Sequence, residues 1–288
     1  MKTNEAKLVM QSMQGGVHHP TVSGDGYWVG FDGKGRIPMG VGGITYNFKI
    51  GDNCMDIVGD HIEPGVSIKN SDAKENGALT AFSCIGNEAI VISGDAKGSK
   101  GFVTGKHGGI NHVIAYFDQA VLEKLNVNDR IAIKAYGQGC KLLDYPDITV
   151  MNIDPTLLHQ LNIVENDDNT LRVPVTHIIP AHLMGSGLGA TTLMNGDYDI
   201  MTQDQTSNQT YQLETLRFGD LVYIENHNCT NGAHYQADSA AVGVIVHSDS
   251  YTSGHGPGVC VIMTGRKSTL QPIIDKHANI ADILVKEK

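Results

Sequence analysis

The sequence predicts a mainly β protein with a few short helices. Three observations predict it: glycine supplies 34 of the 288 residues, helical periodicity is scarce, and short runs rich in Val, Ile, Tyr and Thr recur between Gly, Asn or Asp turns. Glycine at nearly twice its usual share of about 7% indicates many tight turns or close backbone approaches. The hydrophobic share of 41% is enough for a full core.

Short strands are predicted along most of the chain. The clearest of them lie at residues 89–92, 113–117, 130–135, 222–225, 242–247 and 259–264. A turn between an apolar anchor and an alternating strand occurs three times, in IEPGVSI, VNDRIAI and FGDLVYI. This arrangement is a common way to enter a strand of a β-barrel, so it favours β architecture.

Helical signals are confined to four segments. Residues 118–125 and 154–161 each begin with an Asp suited to the N-cap, and in the second segment a proline occupies the first turn. A third helix is predicted to begin at Pro180, and residues 273–285 have helical spacing with weak caps.

The composition of the chain limits which binding partners and which cellular compartment are expected. A net charge of −10 without a basic stretch disfavours nucleic acid, and no run approaches the roughly 20 apolar residues of a membrane span. Residues 1–16 lack the apolar block of a signal peptide, so a cytoplasmic protein is expected. The five cysteines are scattered and contain no CxxC pair, which favours buried free thiols. Site-like loops outnumber the needs of one pocket, and a homo-oligomer is therefore expected.

The polar stretch at residues 164–170 divides the chain into two parts. Residues 1–163 form an N-terminal β part with Gly/Lys/His-rich loops, and residues 171–288 form a C-terminal β part with the HxD and GHGPG hairpin. No low-complexity linker separates them, so the two parts are expected to pack together.

The strongest candidate site is the hairpin at residues 242–265, whose long tip lies between two apolar β runs. If the first strand persists, His247 and Asp249 project to one face, and glycines around His255 let its imidazole fold back. With His234 from the preceding loop, these side chains are candidate ligands of a divalent metal ion, zinc among them. The alternative is structural: a histidine that caps the sheet, an Asx turn, and a solvated histidine.

A second candidate is the glycine-rich stretch at residues 93–113, where backbone N–H groups and lysines favour an anion. Lys106 is the predicted anion contact and His107 the predicted proton-transfer group, with Asp95 as its acid–base partner. Candidate substrate-binding residues are Lys97, Lys100, His112 and Ser250. The stretch is not a Walker A loop, because His rather than Ser or Thr follows Lys106. A series of solvated turns is the alternative.

Residues 51–65 form a third candidate. Asp52, Asp56, Asp60 and His61 have a composition suited to a hard or borderline cation. The ligand spacing of an EF-hand is absent, and Asp and Gly are also common in turns, which is the favoured interpretation.

The blocks GDNCMDIVGDHIEPGVSI, GDAKGSKGFVTGKHGGINHV, YGQGCKLLDYPDI and VIVHSDSYTSGHGPGV resemble the prokaryotic family named domain of unknown function 4438 (DUF4438). The resemblance spans most of the chain and implies a layered β-sandwich with a barrel-like part. It implies no activity and no catalytic residue. The run VPVTHIIPAHLMGSGLG is also similar to acetamidases and formamidases.

These observations favour a metal-assisted hydrolase of a small polar substrate with an amide-like C–N bond. Two alternatives stay open. One is a non-catalytic protein that binds or senses a metabolite, and the other is a metal-free lyase or isomerase that uses His107 and Asp95 as an acid–base pair.

Overall fold

The computed structural model describes residues 1–22, 26–37 and 39–285. Strands make up 37% of it and helices 14%, and six of the strands close into a barrel. The predicted fold class, mainly β with a barrel-like part and a few short helices, is confirmed. The last three residues of the predicted C-terminal part lie outside the described residues.

The strands in chain order are β1 Gln11–Val17, β2 Trp28–Val29, β3 Gly35–Arg36, β4 Ile44–Thr45, β5 Gly65–Lys69, β6 Glu88–Val91, β7 Lys100–His107, β8 His112–Tyr116, β9 Arg130–Ala135, β10 Thr149–Val150, β11 Val164–Glu165, β12 Leu171–Val175, β13 His177–Ile179, β14 Tyr198–Asp199, β15 Leu221–Asn228, β16 His234–His247, β17 Gly258–Arg266 and β18 Leu270–Ile274. The helices are α1 Ala73–Phe82, α2 Gln119–Leu122, α3 Pro155–Gln160, α4 Gln205–Thr210 and α5 Ile280–Leu284. Three short 3₁₀ turns lie at Glu5–Lys7, Ala181–Leu183 and Leu213–Thr215.

The barrel consists of β1, β9, β6, β7, β8 and β5 in that order, and the pairing of β5 with β1 closes it. Neighbouring strands are antiparallel throughout. Side chains alternate between the two faces, as in β9, where Ile131 and Ile133 are fully buried and Arg130 and Lys134 are exposed. This alternation is why the sequence pattern of β9 predicted a strand.

A second sheet has the order β10-β17-β16-β15-β13, with β14 paired to β17. From Ser239 onward β16 is buried without interruption, and so is β17 up to Gly265. Strands buried on both faces read as continuous apolar runs rather than as alternating patterns. A third sheet contains β11, β12 and β18, and β2 pairs with β3 in a separate hairpin.

The barrel packs directly on the second sheet through β7 and β16. A Cβ atom added to Gly105 of β7 would meet Val246 Cγ1 of β16 at 2.1 Å, so only glycine permits this approach. The contact lies next to the last residue of β16 and two residues before the end of β7. It therefore brings His107 and His247, which end these strands, close together.

The helices follow the sequence signals in part. Residues 154–161 contain α3, where the Asp154 carboxylate accepts a hydrogen bond of 2.8 Å from the Thr156 N–H, whereas residues 118–125 contain only the short α2. Pro180 precedes a 3₁₀ turn instead of an α-helix. The helix predicted at residues 273–285 was wrong over its first half, because β18 pairs with β12 as far as Ile274.

The polar stretch at residues 164–170 contains the short hairpin of β11 and β12. All barrel strands precede it, but β10, which belongs to the second sheet, does so as well. The division into two parts at this stretch stays a prediction. No helix in the part of the chain that the structure describes is long and apolar enough to span a membrane.

Candidate metal centre

Six side chains with metal-ligating atoms meet where the ends of β7, β14 and β16 come together. They are His61, His107, Asp197, Asp199, His247 and His255. They form three overlapping groups, in each of which three donor atoms lie within 4.8 Å of one another. The groups are His61, His107 and His247; His61, Asp199 and His255; and Asp197, Asp199 and His247.

Three of the four imidazoles are held through Nδ1 by groups outside the cluster, while His61 Nε2 lies 3.0 Å from His255 Nδ1 within it. His107 Nδ1 lies 2.5 Å from Glu63 Oε1, and His61 Nδ1 lies 2.6 Å from Asp60 Oδ2. His247 Nδ1 lies 2.9 Å from a backbone carbonyl oxygen. Because carboxylate and carbonyl oxygens accept hydrogen bonds, each Nδ1 carries the proton that it donates. In the neutral ring the lone pair is then on Nε2, which is how a histidine with such a partner binds a metal.

The two carboxylates lie at β14: Asp199 is its last residue, and Asp197 immediately precedes its first. Because side chains alternate along a strand, Asp197 and Asp199 point to one side and Tyr198 to the other. Asp197 Oδ2 lies 2.9 Å from His247 Nε2. Asp199 Oδ1 lies 3.6 Å from the same nitrogen, whereas Asp199 Oδ2 lies 3.0 Å from His255 Nδ1.

Three buried atoms of this cluster have no aligned hydrogen-bond partner within the described part of the chain: Asp197 Oδ2, Asp199 Oδ2 and His247 Nε2. The close approach of His247 Nε2 to Asp197 Oδ2 therefore lacks the alignment of a hydrogen bond. All three residues are at least nine-tenths buried. Unpaired buried polar atoms cost free energy, and cations bound in the cluster would satisfy them.

Gly258, the first residue of β17, leaves the space that these atoms occupy. A Cβ atom at this position would lie 2.0 Å from Asp197 Oδ2 and 2.2 Å from His247 Nε2. Any other residue would therefore push the donor atoms apart. The sequence motif GHGPG thus contributes a close backbone approach as well as His255.

The carboxylates and imidazoles of the cluster shift each other's pKa. Burial opposes ionisation of Asp199, but His247, His255 and His61 outweigh it and lower the pKa of this carboxyl. Burial also opposes the charged form of His247, yet Asp197 and Asp199 outweigh it and raise the pKa of the imidazole well above its ordinary value. Because metal-binding imidazoles must be deprotonated, a metal ion bound through His247 would compete with a proton there.

A chain of hydrogen bonds extends from His107 Nδ1 away from the cluster. The Glu63 carboxylate, fully enclosed, also lies 2.9 Å from His112 Nδ1 and accepts from the Ser67 hydroxyl. Burial disfavours the ionised form of Glu63, but His107 and His112 outweigh it and hold the pKa of the carboxyl below its usual range. His112 Nε2 in turn lies 3.1 Å from His18 Nδ1.

Asp60 holds His61 in the corresponding way. The Ser250 hydroxyl and the Tyr251 N–H donate to Asp60 Oδ1 at 2.9 and 2.7 Å. His61 has a φ of 52°, which is uncommon outside glycine, and its N–H donates to the Asp249 carbonyl oxygen at 3.2 Å. The turn at residues 60–61 and the loop after β16 therefore fix each other.

The cluster lines a cleft of about 720 Å³, a volume typical of small-molecule sites. Its other lining residues include Trp28, Val41, Asn111, Thr191 and Asn195. Among the described residues that line the cleft there is no Lys and no Arg. Outside the cluster the described lining therefore offers a ligand one carboxylate, Asp60, and otherwise neutral polar groups.

The chain matches the two family models described as domain of unknown function DUF4438, the N-terminal model over residues 27–159 and the C-terminal model over residues 160–284. The chain belongs to the DUF4438 family. The crystal structure of TM1086 is similar to this chain with a TM-score of 0.94 and 48% sequence identity, over 99% of each chain. No curated protein matches the chain. The resemblance to DUF4438 is confirmed.

In this DUF4438 chain, three of the residues singled out from sequence enter the cluster: His107, His247 and His255. His112 is linked to the cluster through Glu63. Ser250 is almost fully buried and contacts Asp60, so the structure places it behind a ligand and not against a substrate. The functional roles of these residues stay predictions.

Lys106 does not face the cleft, which corrects the expectation that it contacts an anion there. It is fully buried on the side of β7 opposite to His107, because neighbouring side chains on a strand point in opposite directions. Its Nζ donates to Asn152 Oδ1 at 2.8 Å and to the Met194 carbonyl oxygen at 2.5 Å. Burial lowers the pKa of Lys106.

Asp249 and His234 lie outside the three ligand groups. β16 ends at His247, so the alternation that would align Asp249 with it does not continue. The Asp249 carboxylate instead accepts from the Thr202 hydroxyl and from the Ser250 N–H, and burial raises its pKa. His234 Nδ1 lies 3.1 Å from the carbonyl oxygen two residues earlier.

Asp95, Lys97 and Lys100 lie at the other end of β7. Asp95 and Lys97 are exposed in the turn before it, and Lys100 Nζ donates to Glu88 at 2.9 Å. Along an extended strand, Lys100 and His107 are about 23 Å apart. Asp95 is therefore not an acid–base partner of His107, and the two lysines do not reach the cleft.

Sequence patterns did not predict His61, Asp197 or Asp199 as ligands. His61 belongs to residues 51–65, where turns were the favoured interpretation, and the turn is present with His61 at its tip. Asp197 and Asp199 flank a fully buried tyrosine in GDYDI, a spacing that places both carboxylates on one face of a strand. That spacing was the available signal, but a strand of two residues is too short to show a pattern.

Proposed function

We propose that this protein is a metal-dependent hydrolase that acts on a small, neutral, polar substrate, with an amide-like C–N bond as its target. The observation that supports this most is the convergence of four imidazoles and two carboxylates in one cluster beside the cleft, with three of the imidazoles held through Nδ1 by groups outside the cluster. This donor set suits zinc or another borderline divalent ion. Such an ion lowers the pKa of a bound water and polarises a carbonyl group, as amide hydrolysis requires.

The lining of the cleft supports a neutral substrate. With Lys106 buried elsewhere, no described lysine or arginine faces a ligand there. Asn111, Thr191 and Asn195 offer neutral hydrogen-bonding groups, while Trp28 offers apolar surface. We propose that these residues orient the substrate and that His107, instead of shuttling a proton, binds the metal.

Metal analysis combined with a turnover assay tests the proposal. Purified protein loaded with Zn²⁺ is expected to retain the ion on gel filtration and to release ammonia or amine from a panel of small amides. The variant His61→Ala should bind less Zn²⁺ than the unaltered protein and lose turnover, whereas His234→Ala, outside the ligand groups, should match the unaltered protein in both. A protein that takes up no divalent metal contradicts the proposal.

The same panel separates the proposed enzyme from a metabolite-binding protein. A compound that raises the melting temperature without being consumed indicates binding alone. The metal-free lyase or isomerase has less support, because its Asp95 lies at the opposite end of β7 from His107.

The cellular setting is part of the proposal. All five cysteines are free and buried, which fits a reducing cytoplasm. A homo-oligomer is supported by the exposed apolar side chains of Tyr27, Val29 and Ile37 around the β2–β3 hairpin, next to the cleft residue Trp28. Light scattering of the purified protein measures the number of subunits.

A further inference from the structure

The two oxygens of the Asp199 carboxylate face different partners. Oδ2 lies 3.0 Å from His255 Nδ1 and 3.5 Å from His61 Nε2, whereas Oδ1 lies 3.6 Å from His247 Nε2. We infer that the cluster binds two divalent cations and that Asp199 bridges them with one oxygen each. The inference rests on the proposed metal centre and states how many ions it holds.

The number and grouping of the donors support two ions. A protein-bound zinc ion usually has four ligands, or three when one position stays open to water or substrate. Here six side chains contribute, and they divide into three overlapping groups of three. The group with His255 and the group with Asp197 share one member, Asp199.

The contacts assign the remaining donors to two positions. The first position is formed by His61 Nε2, His255 Nδ1 and Asp199 Oδ2. The second is formed by His247 Nε2, Asp197 Oδ2 and Asp199 Oδ1. His107 adds to the second position, because its ring centroid lies 4.2 Å from that of His247 and 5.6 Å from that of His61.

The two positions differ in their access to solvent. The side chains of His247 and Asp197 are 0% and 4% exposed, whereas that of His255 is 32% exposed at the edge of the cleft. The second ion is therefore enclosed, and the first is open to the cleft. We expect the first ion to exchange faster with a chelator in solution. For an amide-like substrate, two ions would divide the work: one would lower the pKa of the attacking water and the other would polarise the carbonyl oxygen.

Counting ions tests the inference. Metal-free protein is saturated with Zn²⁺, passed through a gel-filtration column and analysed by mass spectrometry of the metal, with two ions per chain as the expected result. A parallel sample loaded with Mn²⁺ should show the electron paramagnetic resonance spectrum of two exchange-coupled ions. His255→Ala should retain one ion and give an uncoupled spectrum, while His234→Ala should behave as the unaltered protein.

The possible failures are distinguishable. One Zn²⁺ per chain in the unaltered protein overturns the two-ion inference and leaves the proposed metal centre intact. No bound ion overturns both. Two ions with an uncoupled Mn²⁺ spectrum contradict the bridge through Asp199, and two coupled ions in His255→Ala remove His255 from the first position. The count in the unaltered protein decides even if a variant does not fold.

Discussion

The two ends of β7 have similar sequences and opposite environments. Both contain Gly and Lys and adjoin tight turns, although only the carboxyl end contains His. At the amino end, Asp95 and Lys97 are exposed to solvent. At the carboxyl end, His107 is buried in the ligand cluster and the Gly108 N–H donates to Asp197 Oδ1 at 2.7 Å.

The difference arises from what covers each end of the barrel. The second sheet packs on β7 at Gly105 and so encloses the polar groups beyond it. Enclosed polar groups must find partners, and here they find one another. At the amino end Asp95 and Lys97 are exposed, so solvent can satisfy their polar groups. Burial after folding, more than local composition, therefore separates a candidate site from a solvated turn.

The largest expected difference between the two ends concerns two lysines of the same strand. Lys106→Ala should lower the free energy of unfolding by about 2–5 kcal/mol, because it opens a cavity and leaves the Met194 carbonyl oxygen unpaired. Lys100→Ala should lower it by less than about 0.5 kcal/mol, since an exposed ion pair contributes little. Urea unfolding of both variants measures this. Equal losses would show that the ends of β7 do not differ in burial.

The next contrast concerns the metal. His107→Ala should weaken Zn²⁺ binding by more than about 100-fold, because removing a ligand costs more than altering its hydrogen-bond partner. Asp95→Ala, at the exposed end, should leave the affinity unchanged. Competition with a chromophoric chelator measures both values. A similar affinity in the two variants would remove His107 from the metal site.

The sequence predicted the fold class better than the site. Alternating or continuous apolar runs such as those of β9 and β16 arise directly from burial on one or two faces, so they are visible in the sequence. His107, His247 and His255 were also singled out, because histidine among glycines is unusual on a strand end. Their meeting depends on contacts between distant segments, which no local pattern encodes.

The errors had local physical causes. Lys106 and His107 are adjacent, and the pleat of the strand places one on each side, so both could not face the same ligand. Asp249 follows the strand end, and its carboxylate accepts from the Thr202 hydroxyl and the Ser250 N–H. Asp197 and Asp199 come from a two-residue strand, and without the neighbouring sheet nothing in GDYDI indicates that it meets His247.

A smaller change in Zn²⁺ affinity is expected when a carboxylate that contacts a residue at either end of β7 is replaced. Glu63→Gln keeps the shape of the side chain but weakens its hold on His107, and it should reduce Zn²⁺ affinity by about 10- to 100-fold. Glu88→Gln, which alters a surface partner of Lys100 at the amino end, should not change it. Circular dichroism confirms that both variants fold. If Glu63→Gln binds Zn²⁺ as tightly as the unaltered protein, the carboxylate does not position His107.

The smallest expected change in Zn²⁺ affinity comes from a comparison of two serines that each donate one hydrogen bond to an Asp carboxylate. Ser250 donates to Asp60 Oδ1 at 2.9 Å near the cluster, and Ser93 donates to Asp129 Oδ1 at 3.0 Å at the open end of the barrel. Replacing either with alanine should lower the free energy of unfolding by about 1 kcal/mol, the contribution of one such bond. Only Ser250→Ala should also weaken Zn²⁺ binding, by up to about fivefold, because Asp60 then holds His61 less firmly. An equal loss of stability with unchanged Zn²⁺ affinity in both variants would mean that His61 keeps its orientation through its backbone turn alone, and that the carboxylate behind it serves the fold.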